Sequence, residues 1–589
     1  MVRDVLDMIN KTNETGILVT LDQEKAFDGV DHEFLMRTLS KFGFGPDFCR
    51  WVSLFYNNVF SRVICNGKLT SPIFLGRGVR QGCPLSPLLY VLVSEVLSTQ
   101  IRNCEGIEGF RLPGAGGLRF KVSQYADNAT NFVKDEKSLC NLLNVVHKYE
   151  RGSGAKLNTS KSEAMWLGRW RDNGATPYGL RWVNKMRILG VFFSNGLVSV
   201  DNDNWTSKLD TLKSVLDLWS SRELSFIGRA MILNVLGASC FWHVAKILSP
   251  PGWVVDRYNS ITWPFIWKGK MECISRDRCC APISHGGLNI VHFSTKCVSL
   301  RLSCLESLRD SFGSEKWHYL ARYFLGNRLV KFDRRFNFMS NNVPSSPTPS
   351  LFYKLCLDKL ASLFSKYGHS PDSLSCKNIY VLLLTLPSVI PRCAGFWDSV
   401  VGRPINRWAS VWRKSRLKLI ENKKNDLLWL ILHRAVRVRY SLKSWGYINN
   451  DKCAVCGRVE NIELCFLKCP RVVKLWDHFS PLFSILLDSP FAVSPKSVYF
   501  PFSCVQPSTG ASLSDYLMAT IIYWCWFSRN RATFRNSILG ADSIISLVKR
   551  DIQVRIRCSR PDNVRNFWSF KNVLCSVTTE GSISFFPLL

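Results

Sequence analysis

Phe120-Lys-Val-Ser-Gln-Tyr-Ala-Asp-Asn-Ala-Thr-Asn-Phe-Val133 reads as two short strands, Phe120 to Gln124 and Ala129 to Val133, around the tight turn Tyr125-Ala126-Asp127-Asn128. Asp and Asn tolerate the positive φ of such a turn, and apolar residues recur in the flanks. Far upstream, Gly16-Ile-Leu-Val-Thr-Leu-Asp22 is a short apolar run that ends in a carboxylate, the pattern of a central strand. A split βαβ sheet puts a strand and a hairpin of this kind side by side, so Asp22 and Asp127 are expected at neighbouring strand ends.

The segments between them supply the helices. Asp31-His-Glu opens an amphipathic helix through Phe34, Leu35, Leu39 and Phe42, and Pro87 suits the first turn of a helix from about Leu88 to Ile101. Arg62 to Gly67 and Thr70 to Leu75 form a hairpin pattern with an Asn-Gly turn. Leu139, Leu142, Leu143, Val146 and Tyr149 share one helix face; Lys156 to Asn158, Ala164 to Leu167 and Arg187 to Phe193 are strand-like. The fold class is α+β, a sheet covered on one face by helices. From Trp205 the pattern turns helical, with Leu209, Leu212, Leu216 and Trp219 in register and Gly228 to Leu248 apolar enough for a core helix. Asn341 to Ser350, rich in Pro and Ser, reads as a linker.

The 589 residues carry a formal net charge of +32, which suits a polyanionic partner better than it suits an ordinary enzyme surface. A generally solubilising basic surface is the plainer reading of the same charge. Twenty-two irregularly spaced cysteines and an opening without a signal-peptide core point to a reducing, intracellular setting, nuclear or cytoplasmic. The apolar run Tyr516 to Phe527 is too short to span a bilayer, and no membrane association is expected.

Two strand-end carboxylates are what magnesium-dependent phosphoryl transfer requires, because they hold metal ions roughly 4 Å apart against the attacking and leaving oxygens. Taken alone, Asp22 reads as a helix cap and Asp127-Asn128 as a hairpin turn. Together with Asp22-Gln-Glu-Lys-Ala-Phe-Asp28 and Arg80-Gln-Gly-Cys-Pro-Leu-Ser-Pro87, however, Tyr125-Ala-Asp-Asn128 resembles the ordered polymerase motifs of reverse transcriptases from LINE-type, non-LTR retrotransposons. Gly154-Ala-Lys-Leu-Asn158 with Lys161-Ser-Glu163, and Ile188-Leu-Gly-Val-Phe192, are similar to that family's next two motifs.

The resemblance implies a palm whose Asp22 and Asp127 bind Mg2+, with Asn128 where the family has a second aspartate. It implies that Phe27 lies beneath the incoming sugar and selects deoxynucleotides, that Arg80 contacts phosphate, and that Gln81 and Gly82 face the nascent base pair. Lys161 would assist the pyrophosphate leaving group. Without the family, Phe27 is a core aromatic and Lys161 a solvent-facing lysine. An amide at position 128 removes a negative charge and offers a hard cation only a neutral carbonyl, so weaker metal binding is expected. The family places a fingers region before the catalytic strand; the expectation is that this chain lacks both fingers and an endonuclease.

Trp205 to about Gly287 resembles the thumb and connector of these elements. Cys453-Ala-Val-Cys456 with Cys465 and Cys469 forms C-x2-C-x8-C-x3-C, a pattern for structural zinc through four thiolates, or else four buried free cysteines. Its surroundings look like the zinc-binding region of the same enzymes, in which the third ligand is a histidine at the position of Leu464; Cys465 or His478 are the substitutes here. The basic stretch Arg403 to Lys443, with its tryptophans, suits either RNA binding through Arg413, Lys414 and Arg416 or packing as an amphipathic helix.

The expected organisation is a palm over 1–204, a helical thumb and connector over 205–333, a linker-rich region over 334–400, the basic stretch and cysteine cluster over 401–480, and a helical tail over 481–589. The expected function is RNA-directed DNA synthesis from dNTPs on an element RNA template with a DNA primer or target. The alternatives are a catalytically inactive nucleic-acid-binding remnant and a maturase-like RNA-binding protein.

Overall fold

A computed structural model of the chain describes residues 1–309, 315–339, 345–368, 371–384, 387–414, 416, 420–500, 509–557, 575–577 and 583–585. Part of the expected 341–350 linker and most of the chain beyond 557 lie outside the described residues, as does the side chain of Lys414.

Helix α1 (Val2–Thr12) leads into strand β1 (Thr15–Leu21), whose Ile17, Leu18 and Val19 are fully buried. An aliphatic run without polar alternation is what a strand covered on both faces needs. Antiparallel neighbours flank it: β3 (Asn128–Val133), the second arm of the hairpin begun by β2 (Val122–Tyr125), and β4 (Glu163–Gly168). With β5 (Arg181–Trp182) pairing parallel to β4, the sheet order is β5-β4-β1-β3-β2. Gly16 allows a close approach here, since a Cβ on it would lie 2.1 Å from Cζ of the Phe110 ring.

The helices begin where local chemistry places them. The Asp31 carboxylate caps α2 (His32–Lys41) by accepting from Phe34 N–H at 2.8 Å, and Asp135 caps α5 (Glu136–Ser153) through Ser138 N–H at 2.7 Å. Between them lie α3 (Pro46–Tyr56) and α4 (Ser86–Asn103), the latter with Pro87 in its first turn. Leu97 and Ile101 of α4 and Leu139, Leu142 and Val146 of α5 bury one sheet face, that of Ile17, Val19, Leu21, Ala164 and Trp166. A second cluster joins α2, α3 and α4 through Leu35, Leu39, Val52, Leu89, Tyr90 and Val93. This is the expected α+β architecture.

Two expectations need correction. Arg187 to Phe193 is not one strand but a hairpin, Lys185–Ile188 paired with Val191–Ser194, because Leu189 and Gly190 both take positive φ, 46° and 83°. Nor is 228–248 one core helix. Phe226–Ile232 is α-helical, Leu233–Gly237 is a π turn, Ala238–Phe241 is 3-10 and Trp242–Ile247 is α-helical again. The helical run Phe226–Ile247 has mean hydropathy 1.4 and is long and apolar enough to cross a membrane, a property it shares with core helices of soluble proteins.

The chain divides into two compact units: Met1–Asp210 with Phe241–Val254 and Thr295–Leu383, and Thr211–Cys240 with Val255–Ser294 and Leu384–Leu589. The first contains the sheet and the first half of α6 (Asp201–Ser220). The second is largely helical and includes most of α7 (Gly252–Trp267), α8 (Asn422–Leu432), α9 (Pro470–Leu487), α10 (Thr509–Phe534) and α11 (Ala541–Arg557). Helix α10 packs against α8, α9 and α11. The fully buried Lys424 ties three of these helices together through Glu421 at 2.8 Å, Thr520 Oγ1 at 2.9 Å and Asp551 at 3.0 Å.

Candidate active site and thiol cluster

The β1–β3 register runs to Leu21 opposite Ala129, so Asp22 directly follows the last paired residue of β1 and Asn128 directly precedes its partner Ala129. Asp127 occupies the adjoining hairpin tip, which turns because Ala126 takes φ 51°. Both carboxylates act on one phenol. Tyr90 of α4 is held far above the usual tyrosine range by burial first, then by Tyr149, Asp127 and Asp22. Its hydroxyl donates to Gln23 Oε1 at 2.9 Å. Asp22 is tied by its backbone to the next motif: its carbonyl accepts from Asn158 N–H at 2.8 Å and its N–H donates to Ser162 Oγ at 3.3 Å. Lys161, exposed, sits in the turn between these two partners.

Asn128 is exposed and donates its side-chain amide to Asp127 Oδ1 at 3.2 Å. An aspartate would offer the site a carboxylate; the asparagine instead occupies a lone pair of its neighbour. Asp22 and Asp127, both half-buried, still fit a hard divalent cation, which needs only one or two carboxylates besides water and substrate oxygens.

Phe27 stacks on Tyr90 with ring centroids 4.6 Å apart and planes 12° apart, and its carbonyl accepts from Val79 N–H at 2.8 Å. The strand-like run from Gly78 thus lies alongside Phe27 to Val30. There Gly78 has no room for a side chain, since a Cβ would approach Asp28 Cα and its carbonyl to 3.0 Å. Gln81 Nε2 donates to Asp28 Oδ1 at 3.4 Å, while Arg80 and Gly82 are exposed. Arg80 and Gln81 line a cleft of about 800 Å³ together with Lys25, Asp28, Arg77 and Lys156. Sequence reasoning assigned no role to Tyr90, Arg77 or Lys156. Lys156 lies inside a quoted motif, but nothing local marks Tyr90, whose importance comes from the packing of α4 under the sheet edge.

In the second unit, Cys453, Cys456 and Cys469 converge, with their sulfurs within 4.8 Å of one another. The loop is a knuckle: Gly457 N–H donates to Cys453 O at 2.9 Å, and Val455 N–H points at Cys453 Sγ at 3.4 Å. A hydrogen bond from Cys469 pulls the Cys453 thiol down to about 5, and Cys469 moves up correspondingly. Cys469 is the N-cap of α9. Three clustered thiols are a donor set suited to zinc.

Cys465 is not part of this group, contrary to the four-thiolate expectation. It lies in the π turn Leu464–Lys468 and is buried, and burial raises its thiol well above the ordinary range. His478 is also absent from the cluster, nine residues into the helix that Cys469 caps. Arg416, expected on an RNA-facing surface, instead lies 5.7 Å from the Trp429 ring centre, and burial lowers its pKa to about 10. Arg413 is exposed.

Residues 2–193 match the family described as reverse transcriptase (RNA-dependent DNA polymerase), and residues 396–476 match zinc-binding in reverse transcriptase. The transposon TX1 uncharacterized 149 kDa protein of Xenopus laevis is 30% identical over 345 residues, 57% of this chain and 26% of that protein. The Pol polyprotein of the type-1 retrotransposable element R2 of Popillia japonica is 25% identical over 210 residues, 33% of this chain and 34% of the relative. The chain thus spans between a quarter and about a third of these relatives' length. A solved telomerase from Candida tropicalis with a fragment of telomeric RNA aligns at TM-score 0.29 and 11% identity, over 65% of this chain and 52% of that one. Residues 2–193 thus match a reverse transcriptase domain and residues 396–476 a zinc-binding region of the same enzymes, and the relatives they resemble are proteins of non-LTR retrotransposons.

Proposed function

We propose that the first unit carries out RNA-templated DNA synthesis from deoxynucleoside triphosphates. The observation that carries this reading is Asp127 at the tip of the hairpin whose second arm pairs with the strand that Asp22 directly follows. Asp22 and Asp127 would hold Mg2+, which when bound supplies charge neutralisation at the attacking and leaving oxygens. Phe27, braced flat against Tyr90, excludes a ribose 2′-hydroxyl, while Gln81 and Gly82 leave open backbone for a base pair. Lys25, Arg77, Arg80 and Lys156 give the neighbouring cleft a positive lining suited to a triphosphate, and Lys161 supplies a proton or a charge to departing pyrophosphate. Zinc would be held by Cys453, Cys456 and Cys469 in a structural role. The partners are element RNA as template and a DNA primer or target, and the setting is a reducing one, nuclear or cytoplasmic.

The amide of Asn128 on Asp127 favours a second reading, a remnant that binds nucleic acid without turnover. Primer extension on poly(rA) with oligo(dT), dTTP and Mg2+ separates the two. Extension that disappears in Asp127→Ala supports the polymerase; RNA binding without any extension supports the remnant.

A further inference from the structure

The second unit holds a cleft of about 710 Å³ that neither the polymerase residues nor the thiol cluster uses. Its volume falls in the range of ligand clefts, about 300–1,000 Å³. The end of α7 and the turn after it, α8 and α10 enclose it, and its walls are aromatic: Trp267, Tyr523 and Trp526, with Tyr447 and Phe534 at the edge, 62% and 65% exposed. Large aromatic faces left open to water are unusual unless something flat covers them.

The edge of the same cleft is cationic. Lys268, Lys270 and Lys423 all line it and all are exposed; among the described residues none of them forms an ion pair, and Asp426 of the same cleft and Glu223 bear on Lys268 only from further off. The Lys423 ammonium stands 4.8 Å from the centre of the Tyr523 ring, placing charge directly beside a stacking surface. The wall is fixed: Arg529 of α10 is bound to the buried Glu460 at 2.7 Å and lies 4.9 Å from the Trp526 ring centre. Asp426 adds a single half-buried acceptor, already engaged by Phe226 N–H at 3.0 Å.

Aromatic walls suit a planar π-face, and unpaired ammonium groups at the edge suit phosphates joined to it. A neutral apolar ligand would leave three charges unanswered, and a duplex keeps its bases stacked on one another and unable to enter. We propose that this cleft takes an unpaired base of a single-stranded nucleic acid, with the flanking phosphates along Lys268, Lys270 and Lys423. The net charge of +32 agrees with a polyanion as the occupant.

The test uses the full chain with oligo(U) and oligo(dT), each carrying one 4-thio base for photo-crosslinking, and with anisotropy titrations at several salt concentrations. Crosslinks are expected within 267–270 or at Tyr523 and Trp526, and weaker crosslinking in Tyr523→Leu, which keeps the bulk of the wall. The double variant Lys268→Gln with Lys423→Gln, both exposed, should lose about tenfold in affinity and flatten the salt slope by roughly 1.4, the value for two phosphates on a single strand. Crosslinks confined to other segments overturn the proposal. So does a double variant with unchanged affinity and slope, or a duplex that competes as well as the single strand. The RNA and DNA arms show which strand is the natural occupant. Since the readout is binding, absence of primer extension leaves this site standing, and extension alone does not support it.

Discussion

Asn128→Asp is the perturbation that bears most directly on turnover. At present the Asn128 amide donates to Asp127 Oδ1 at 3.2 Å, and only a neutral carbonyl remains for a cation. The substitution removes that donor and adds a negative charge at the hairpin tip. Two unit charges at 4 Å interact by ~1 kcal/mol in water and ~4 kcal/mol at the effective permittivity near a protein surface. Because Asn128 is exposed, the lower part of that range applies, about 1–2 kcal/mol per unit charge, and twice that for a divalent ion. Repulsion from Asp127 offsets about half, leaving ~1–2 kcal/mol, or a gain of about five- to thirtyfold. The assay is the initial rate of dTTP incorporation on poly(rA)/oligo(dT) across a magnesium titration. Both a faster rate and a lower half-saturating magnesium concentration are expected. A gain below about twofold with the midpoint unmoved would falsify the idea that position 128 limits metal binding.

Zinc content measured after refolding should survive Cys465→Ser and be lost in Cys469→Ser, because only the latter sulfur belongs to the converging group; loss in both would restore the four-thiolate arrangement. Gly16→Ala forces a methyl against the Phe110 ring at 2.1 Å and should destabilise the sheet by about 1–3 kcal/mol, read as a lower urea midpoint; an unchanged midpoint would mean the ring moves freely. His433 is half-buried, donates its Nε2–H to Gly286 O at 2.8 Å, and has its pKa lowered to about 4, chiefly by desolvation. Its folded pKa is depressed below the unfolded ~6.5, so the stability it contributes is present above that value and is lost as pH falls toward 4, by about 3 kcal/mol. His433→Asn should flatten that limb of the urea-midpoint profile, and an identical slope in wild type and variant would rule the histidine out.

Local rules carried much of the fold. Asp31 announces a helix start because a carboxylate satisfies free N–H groups, and it does so in the structure. Asn66-Gly67 closes the Ile64–Cys65 and Lys68–Leu69 hairpin with φ 49° and 78°, as an Asn-Gly pair in that setting predicts. Failures came where tertiary packing overrode a continuous apolar pattern. Arg187 to Phe193 has the composition of one strand but folds back at Leu189-Gly190, and 228–248 has the composition of one helix but is broken by π and 3-10 turns.

By itself the sequence determined the resemblance to the reverse transcriptases and the order of the motifs that carry it, because five short segments keep the residue types and spacing that place carboxylates, an aromatic and glycines around one reaction. It also determined that position 128 is an amide. Only the tertiary structure decided that this amide turns onto Asp127, that Tyr90 stacks on Phe27 and bonds to Gln23, that Cys465 stands apart from the other three thiols, and that Arg416 faces Trp429. Each of these depends on which helix packs against which sheet edge or helix. Contacts of that kind are set by burial of residues far apart in the chain, and no local spacing encodes them.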